Sequence, residues 1–335
     1  MTPPDRGDAA GHPAYDSAHD PATDGQPDED GGPGVTPGGW PARPPAGEGT
    51  VPWRALVELA TARLREAGVD NADQEARWIA ERAGGFEAAE LVLSLNAPVT
   101  LRSGTHFHLM LDRRAAGEPL QYVLGRWPFR SLELLVDARV LIPRPETEVL
   151  AGHALDEVDR LGAKVAADLG TGTGAVALAL LAERPGLAEV WATDASPDAL
   201  DVARANLAGL GMRATRGRLA LGSWFEALPP HLRGRIDLIV SNPPYVADGE
   251  ADDLPAEVRD WEPAQALFSG PTGLEDIDTI LAAAPGWLAP HGSVLIELAP
   301  HQARAAAGLA SDAGFPAVSV WPDLTGRDRI LLARR

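Results

Sequence analysis

Asn242-Pro243-Pro244-Tyr245 closes an apolar run, Ile236-Asp237-Leu238-Ile239-Val240-Ser241, that reads as a buried strand. Two prolines stiffen the turn and remove two backbone donors, which leaves the local carbonyls free as acceptors. The Asn242 amide adds one acceptor and two donors, and the Tyr245 ring adds a flat face. Together these groups can grip a planar group that carries an NH2, either an amide or an exocyclic base amine. Taken alone, the four residues also suit a plain rigid turn with Asn as turn former. A second motif upstream favours chemistry.

That motif is Asp168-Leu169-Gly170-Thr171-Gly172-Thr173-Gly174. It follows the short apolar segment Lys164-Val165-Ala166-Ala167 and precedes Ala175-Val176-Ala177-Leu178-Ala179-Leu180-Leu181, which is rich in helix formers. Strand, glycine loop and helix in this order form a nucleotide-binding crossover. Glycine lets the backbone turn sharply and lets a ligand approach without a Cβ in the way. Asp194 follows Gly174 by 20 residues, after Glu189-Val190-Trp191-Ala192-Thr193, where a carboxylate can accept both ribose hydroxyls. A Gly-x-Gly-x-Gly loop alone also occurs in simple tight turns; its spacing to Asp194 and Asn242 makes the set specific.

The spacing separates two cofactor classes. Dinucleotide enzymes usually carry Gly-x-Gly-x-x-Gly, whose helix start holds a pyrophosphate. Here Asp168 stands just before a Gly-x-Gly-x-Gly loop. A carboxylate there repels a pyrophosphate and suits a cation. S-adenosyl-L-methionine, with a sulfonium, an ammonium and no phosphate, fits.

At this point the chain resembles the bacterial glutamine methyltransferases that modify peptide chain release factors. The resemblance covers roughly residues 52 to 335. It includes Gly117-Glu118-Pro119-Leu120-Gln121-Tyr122 and Leu141-Ile142-Pro143-Arg144-Pro145-Glu146-Thr147-Glu148. It continues through the glycine loop, Gly222-Ser223-Trp224-Phe225, Asn-Pro-Pro-Tyr and Arg259-Asp260-Trp261-Glu262-Pro263. Two positions depart from the family pattern. Ser223 stands where an acid often receives the adenine amino group, and Ala299 stands where Glu-x-Gly often ends the fifth strand.

The resemblance implies a class I S-adenosylmethionine-dependent methyltransferase: an α/β, Rossmann-like parallel sheet with an antiparallel edge strand, plus a small N-terminal helical domain. It implies methyl transfer to the side-chain amide nitrogen of the glutamine in a Gly-Gly-Gln motif of release factors, in translation termination. Gly170, Thr171, Gly172, Thr173, Gly174, Asp194, Trp224 and Asn242 are expected to bind the cofactor. Asn242, Pro243, Pro244 and Tyr245 are expected to bind the substrate, with Asn242, Pro243 and Tyr245 catalytic. The Asn242 oxygen would accept one amide N–H, the Pro243 carbonyl the other, and Tyr245 would pack on the flat amide. No metal is required. Two other readings fit the same residues: an adenine or cytosine amino-methyltransferase gripping a flipped base, and a binding module that keeps a cofactor fold as scaffold.

Composition narrows these. A formal net charge of -19 argues against non-specific nucleic-acid binding, which needs clustered Lys and Arg. The chain has no cysteine, so disulfides, thiol nucleophiles and thiolate metal sites are excluded. Apolar stretches are too short to cross a bilayer and no basic-then-apolar leader pattern is seen, so a cytoplasmic protein without membrane association is expected.

Four regions must position the motifs. Residues 1–50 hold nine acids against two arginines and are rich in Pro and Gly, which predicts a disordered extension. Residues 51–116 show apolar spacing of three and four, as in Trp53, Leu56, Ala60 and Leu64, which predicts a helical domain; a substrate-docking role is implied by the resemblance. Gly68 stops its first helix, and Asp70 or Asn71 can cap the second. His106 and His108, two apart on a helix, point in different directions and read as surface and packing residues rather than ligands. Residues 117–148 are expected to form a β-hairpin linker, because 119–142 alternate and contain Gly125 and Pro128. Residues 149–335 form the catalytic domain, with strands near 165–169, 189–193, 217–221, 236–241, 292–298, 316–321 and 328–333.

Overall fold

The computed structural model describes residues 50–335. The predicted disordered extension lies, apart from Thr50, outside the described residues.

The N-terminal helices are α1 (Trp53–Glu66), α2 (Ala72–Gly84), α3 (Ala88–Ser94), α4 (Leu101–Ala115) and α5 (Leu120–Leu124). Apolar residues recur every three or four positions, so α1 buries Trp53, Leu56, Ala60 and Leu64 on one stripe. They meet Ile79 and Ala80 of α2 and Phe107, Met110 and Leu111 of α4. Thr100 caps α4 by accepting from the Ser103 N–H at 3.1 Å. Asn71 occupies the N-cap of α2, but its side chain accepts no capping bond.

The linker departs from the predicted hairpin. Residues 120–124 form α5, closed by Gly125 in the left-handed region at φ 70°. Only β1 (Arg126–Phe129) and β2 (Leu132–Leu135) pair as an antiparallel ribbon. A five-residue apolar run does not tell helix from strand by periodicity, and its flanks decide. Pro119 precedes it and Gly125 ends it, the asymmetry of a helical turn. Leu120, Val123 and Leu124 pack into the helical core, so the expected boundary at 116/117 runs through that core. The boundary at 148/149 likewise falls inside α6 (Pro145–Leu161), which starts earlier because Pro145 suits its first turn.

The rest alternates strand and helix: β3 (Val165–Leu169), α7 (Ala175–Glu183), β4 (Glu189–Asp194), α8 (Pro197–Ala208), β5 (Gly217–Leu221), β6 (Ile236–Ser241), α9 (Ala256–Trp261), α10 (Glu275–Ala283), β7 (Leu288–Glu297), α11 (Ala303–Asp312), β8 (Ala317–Pro322) and β9 (Asp328–Arg334). The sheet runs β5-β4-β3-β6-β7-β9-β8. β9 is antiparallel to both neighbours; the other pairs are parallel. Helices cover both faces, with α6 and α7 on one apolar layer and α10 and α11 on the other. This is the class I methyltransferase architecture. Strand order reverses between β3 and β6, so the loops after these strands flank the crevice where such sheets bind ligands. Buried Arg114 of α4 bonds Glu75 of α2 at 2.6 Å and Glu257 of α9 at 2.7 Å, tying the helical bundle to the sheet domain. Among the described residues no helix is long and apolar enough to cross a membrane.

Candidate active site

The loop after β3 needs glycine for its shape. Gly170, Gly172 and Gly174 have φ of 70°, 54° and 85°, a region that L side chains rarely adopt. At Gly170 a Cβ would also stand 3.2 Å from the Trp224 ring. Thr171 donates its backbone N–H to the Thr193 carbonyl at 2.8 Å, which ties the loop to the end of β4. Asn206 of α8 donates to the Thr173 carbonyl at 2.9 Å and exchanges bonds with Leu135 of β2 at 2.7 and 3.1 Å. A lone Asn inside a helical pattern gives no sequence signal for that role.

Among the described residues, Asp168 and Asp194, at the ends of β3 and β4, are two of the three carboxylates that line the crevice. Asp168 is buried and accepts from the Thr171 hydroxyl at 2.6 Å and the Ala177 N–H at 3.1 Å. Burial pushes its pKa up to about 6, against the pull of those bonds, and the nearby Asp194 charge adds to the rise. Asp194 ends β4 and accepts from the Gly172 N–H and the Ser196 N–H, both at 2.9 Å. Burial raises its pKa too, opposed by these backbone bonds. Each carboxylate oxygen has more than one lone pair, so acceptor capacity remains.

The cavity of about 270 Å³ is walled by Gly170, Thr171, Gly172, Thr173, Asp168, Asp194, Ser223, Trp224, Asn242 and Pro244. Arg139, Val140, Leu141 and Pro143 close one side, and Pro263, Gln265 and Ala266 another. Trp224 holds φ 44°, a strained value for a bulky side chain, at the start of a short 3-10 turn over Gly170. Of the expected site residues, Gly174, Pro243 and Tyr245 are not in the wall. Gly174 caps α7. Pro243 is buried. The Tyr245 ring packs against the apolar layer under α10 and α11, and its hydroxyl lies 3.5 Å from Glu297 Oε1.

The donor set suits a cationic cofactor. Asp168, Asp194 and Asp276 reach the cavity wall, where the basic residue is Arg139, already paired to Asp137 at 2.6 Å. The glycine loop supplies backbone without Cβ atoms beside it.

The loop after β6 is held by residues that the sequence reading missed. The Ser241 hydroxyl donates to the Leu169 carbonyl at 2.7 Å and locks the two strand ends together. Gln302 donates to the Tyr245 carbonyl at 2.8 Å and the Gly273 carbonyl at 3.1 Å. A Cβ on Gly273 would fall 2.4 Å from the Tyr245 carbonyl oxygen, so this position needs glycine. Asn242 Nδ2 donates to Thr147 Oγ1 at 3.2 Å. Asn242 Oδ1 is buried and accepts no hydrogen bond. Glu262 joins two of the motif segments: it accepts from the Ile142 N–H at 3.1 Å and pairs with Arg144. A carboxylate between two Pro-containing segments was a usable sequence signal, since a buried acid needs a partner.

The comparisons with known proteins agree with this geometry. The PrmC N-terminal domain family matches residues 55–125, and the methyltransferase small domain family matches residues 147–258. A release factor glutamine methyltransferase of Cereibacter sphaeroides is 44% identical over 278 residues, covering 83% of this chain and 96% of that protein. One from Deinococcus radiodurans is 40% identical over 284 residues, covering 84% and 98%. Among solved structures, the hMettl16 catalytic domain in complex with MAT2A 3'UTR hairpin 1 superposes with TM-score 0.50 at 18% identity, covering 67% of this chain and 80% of that one; this likeness concerns the fold alone. With its helical N-terminal region, seven-stranded sheet and near full-length similarity to these relatives, the chain belongs to the release factor glutamine methyltransferase family.

Proposed function

We propose that the protein methylates the side-chain amide nitrogen of the glutamine in the Gly-Gly-Gln motif of peptide chain release factors. S-adenosyl-L-methionine, when bound, supplies an electrophilic methyl group on a sulfonium. Gly170, Thr171, Gly172, Thr173, Asp194 and Trp224 would hold it, with the Asp168 carboxylate favouring its positive charge. The chain's own task is to present a weak nucleophile. An amide nitrogen is poor because its lone pair is delocalised into the carbonyl. Asn242 Oδ1 accepts one N–H of the substrate amide and the Pro243 carbonyl accepts the other. Two acceptors fix the nitrogen and favour positive charge developing there. Correct placement can account for roughly 7 to 11 kcal/mol of barrier lowering in favourable cases.

One observation carries this reading. Asn242 lines the same cavity as the glycine loop, and its Oδ1 is a buried acceptor without a partner. Leaving such a group unpaired costs about 1 to 3 kcal/mol, and a substrate N–H removes that cost.

The helical region supports docking of a protein substrate. Its surface shows Leu59, Trp78, Val92, Leu93, Leu101 and Leu109, with Leu93 88% exposed. These exposed apolar groups are available to a protein partner where they lie side by side. The test is mass spectrometry of a release factor after incubation with enzyme and cofactor. One methyl on the Gly-Gly-Gln glutamine is expected. Methylation of a nucleic-acid amine instead, with the release factor unmodified, refutes the reading.

A further inference from the structure

Three polar side chains from distant segments meet at the Asn242 turn, where Thr147 and Asn242 both line the cavity. Thr147 lies in the first turn of α6, Glu297 ends β7, and both are buried. Asn242 Nδ2 donates to Thr147 Oγ1 at 3.2 Å, and the Thr147 hydroxyl donates to Glu297 Oε2 at 2.8 Å. We propose that Thr147 and Glu297 are positioning residues for methyl transfer: they form a one-way hydrogen-bond relay that holds the Asn242 amide with its oxygen toward the substrate. The inference rests on the role of Asn242 as amide acceptor given above.

The polarity follows from a count of hydrogens. A carboxylate offers only lone pairs, so the single Thr147 hydroxyl hydrogen goes to Glu297. The Thr147 oxygen then has only lone pairs to turn toward Asn242. Only the NH2 edge of the amide can face it. Oδ1 is thereby forced to the opposite edge, where it is buried and unpaired. The reversed amide would set two acceptors against each other at Thr147 and two donors against each other at the substrate NH2. The charge on Glu297 thus selects one of two amide orientations that have nearly the same shape.

The groups facing Glu297 are Glu146 and Thr147 from α6, Tyr245 from the loop after β6, and Arg329 from β9. Burial pushes the Glu297 pKa up to about 7, the Thr147 bond and Arg329 pull it down, and Glu146 raises it. A neutral Glu297 carries its own hydrogen and can donate to Thr147. The Thr147 hydrogen is then released to Asn242, and the selection is lost. The relay therefore weakens as pH falls.

The test uses the full chain with Thr147→Val, Thr147→Ser and Glu297→Gln. The Asn242 NH2 signal in nitrogen-15 spectra, assigned by its loss in Asn242→Ala, reports the relay without any substrate. Thr147→Val should speed exchange of these hydrogens with water; because Thr147 also lines the cavity, cofactor affinity is measured beside it, with Thr147→Ser, which keeps the hydroxyl, as the control. Thr147→Val should lower kcat on a release factor about 10- to 100-fold, the scale of a misplaced reacting group, with KM changed less. Thr147→Ser should restore both. Glu297→Gln should flatten the acid limb of the kcat profile that lies at or below about 7 in the wild type. Wild-type kcat in Thr147→Val, no rescue by Ser, or unchanged NH2 exchange overturns the relay. If Thr147→Val does not fold, an unchanged acid limb in Glu297→Gln overturns it. If the wild type fails to methylate the release factor, the substrate assignment falls, and the NH2 exchange in Thr147→Val or, should that variant not fold, in Glu297→Gln alone decides the relay.

Discussion

The loops after β3 and β6 leave adjacent parallel strands and face one crevice, yet they treat their polar groups in opposite ways. The glycine loop satisfies its acids internally: Asp168 takes Thr171 and Ala177, and Asp194 takes Gly172 and Ser196. The Asn-Pro-Pro-Tyr loop is braced by Gln302, Ser241 and Thr147 but leaves Asn242 Oδ1 unpaired. Internal bonds make the first loop a preformed cradle whose charge is already placed. The second leaves one acceptor without a partner in the protein. A rigid cradle suits a cofactor that is the same in every turnover, while an unpaired acceptor suits discrimination, because only a donor relieves its desolvation.

The largest effect should come from removing that acceptor. Asn242→Ala should lower kcat about a thousandfold, the upper range for loss of one preorganised hydrogen-bonding group. Cofactor affinity and thermal stability should change little, because Ala keeps the turn compact. Asn242→Asp should retain more activity than Ala if accepting an N–H is the main role. Methyl incorporation into intact release factor decides; full activity in the Ala variant would erase the contrast between the loops.

Next comes the cradle. Asp194→Ala should weaken cofactor binding by about 1.5 to 3 kcal/mol, the range for hydrogen bonds to a charged group. The Gly172 and Ser196 N–H groups also lose their acceptor, so the loop itself loosens. Calorimetry with unchanged affinity would remove Asp194 from the site.

A smaller, pH-dependent effect should come from Asp168, whose folded pKa stands at about 6 against an ordinary 3.8. The ionised form favours a cationic cofactor, so affinity should rise as pH climbs through about 6 and level off above it. The stability of the free protein moves the other way. A raised folded pKa gives a contribution that is complete below 3.8 and lost as pH rises through about 6. Asp168→Asn should flatten both curves. Calorimetry and thermal unfolding across this range check the pair, and a sloping affinity curve in the Asn variant would place the titrating group elsewhere.

The smallest effect sharpens the contrast by testing what neither loop supplies. Leu93 on α3 is exposed and free of the cavity. Leu93→Glu should raise KM for the release factor roughly fivefold, about 1 kcal/mol, and leave cofactor affinity unchanged. Steady-state kinetics showing an unchanged KM would move docking away from this face.

Much was legible because local physics settles it. Glycines at 170, 172 and 174 are needed for positive φ, so their spacing announced the cradle before any fold was known. Alternating strand and helix patterns gave the order of β3 to β9, since each element must bury one face or both. The run 120–124 was misread as hairpin because five apolar residues fit either period, and only packing against α1 to α4 made it a helix. The boundary at 148/149 missed the start of α6 for a related reason: the functional motif Pro145-Glu146-Thr147-Glu148 is also a helix start. The sequence by itself carried the expectation of a cationic cofactor and of an Asn acceptor at the end of β6, because residue type and spacing along one chain carry both. Only the tertiary structure shows what the Asn242 amide is bonded to. Thr147, Asn242 and Glu297 lie 95 and 55 residues apart along the chain and meet because α6, β6 and β7 pack together, and a hydrogen bond depends on distance in space.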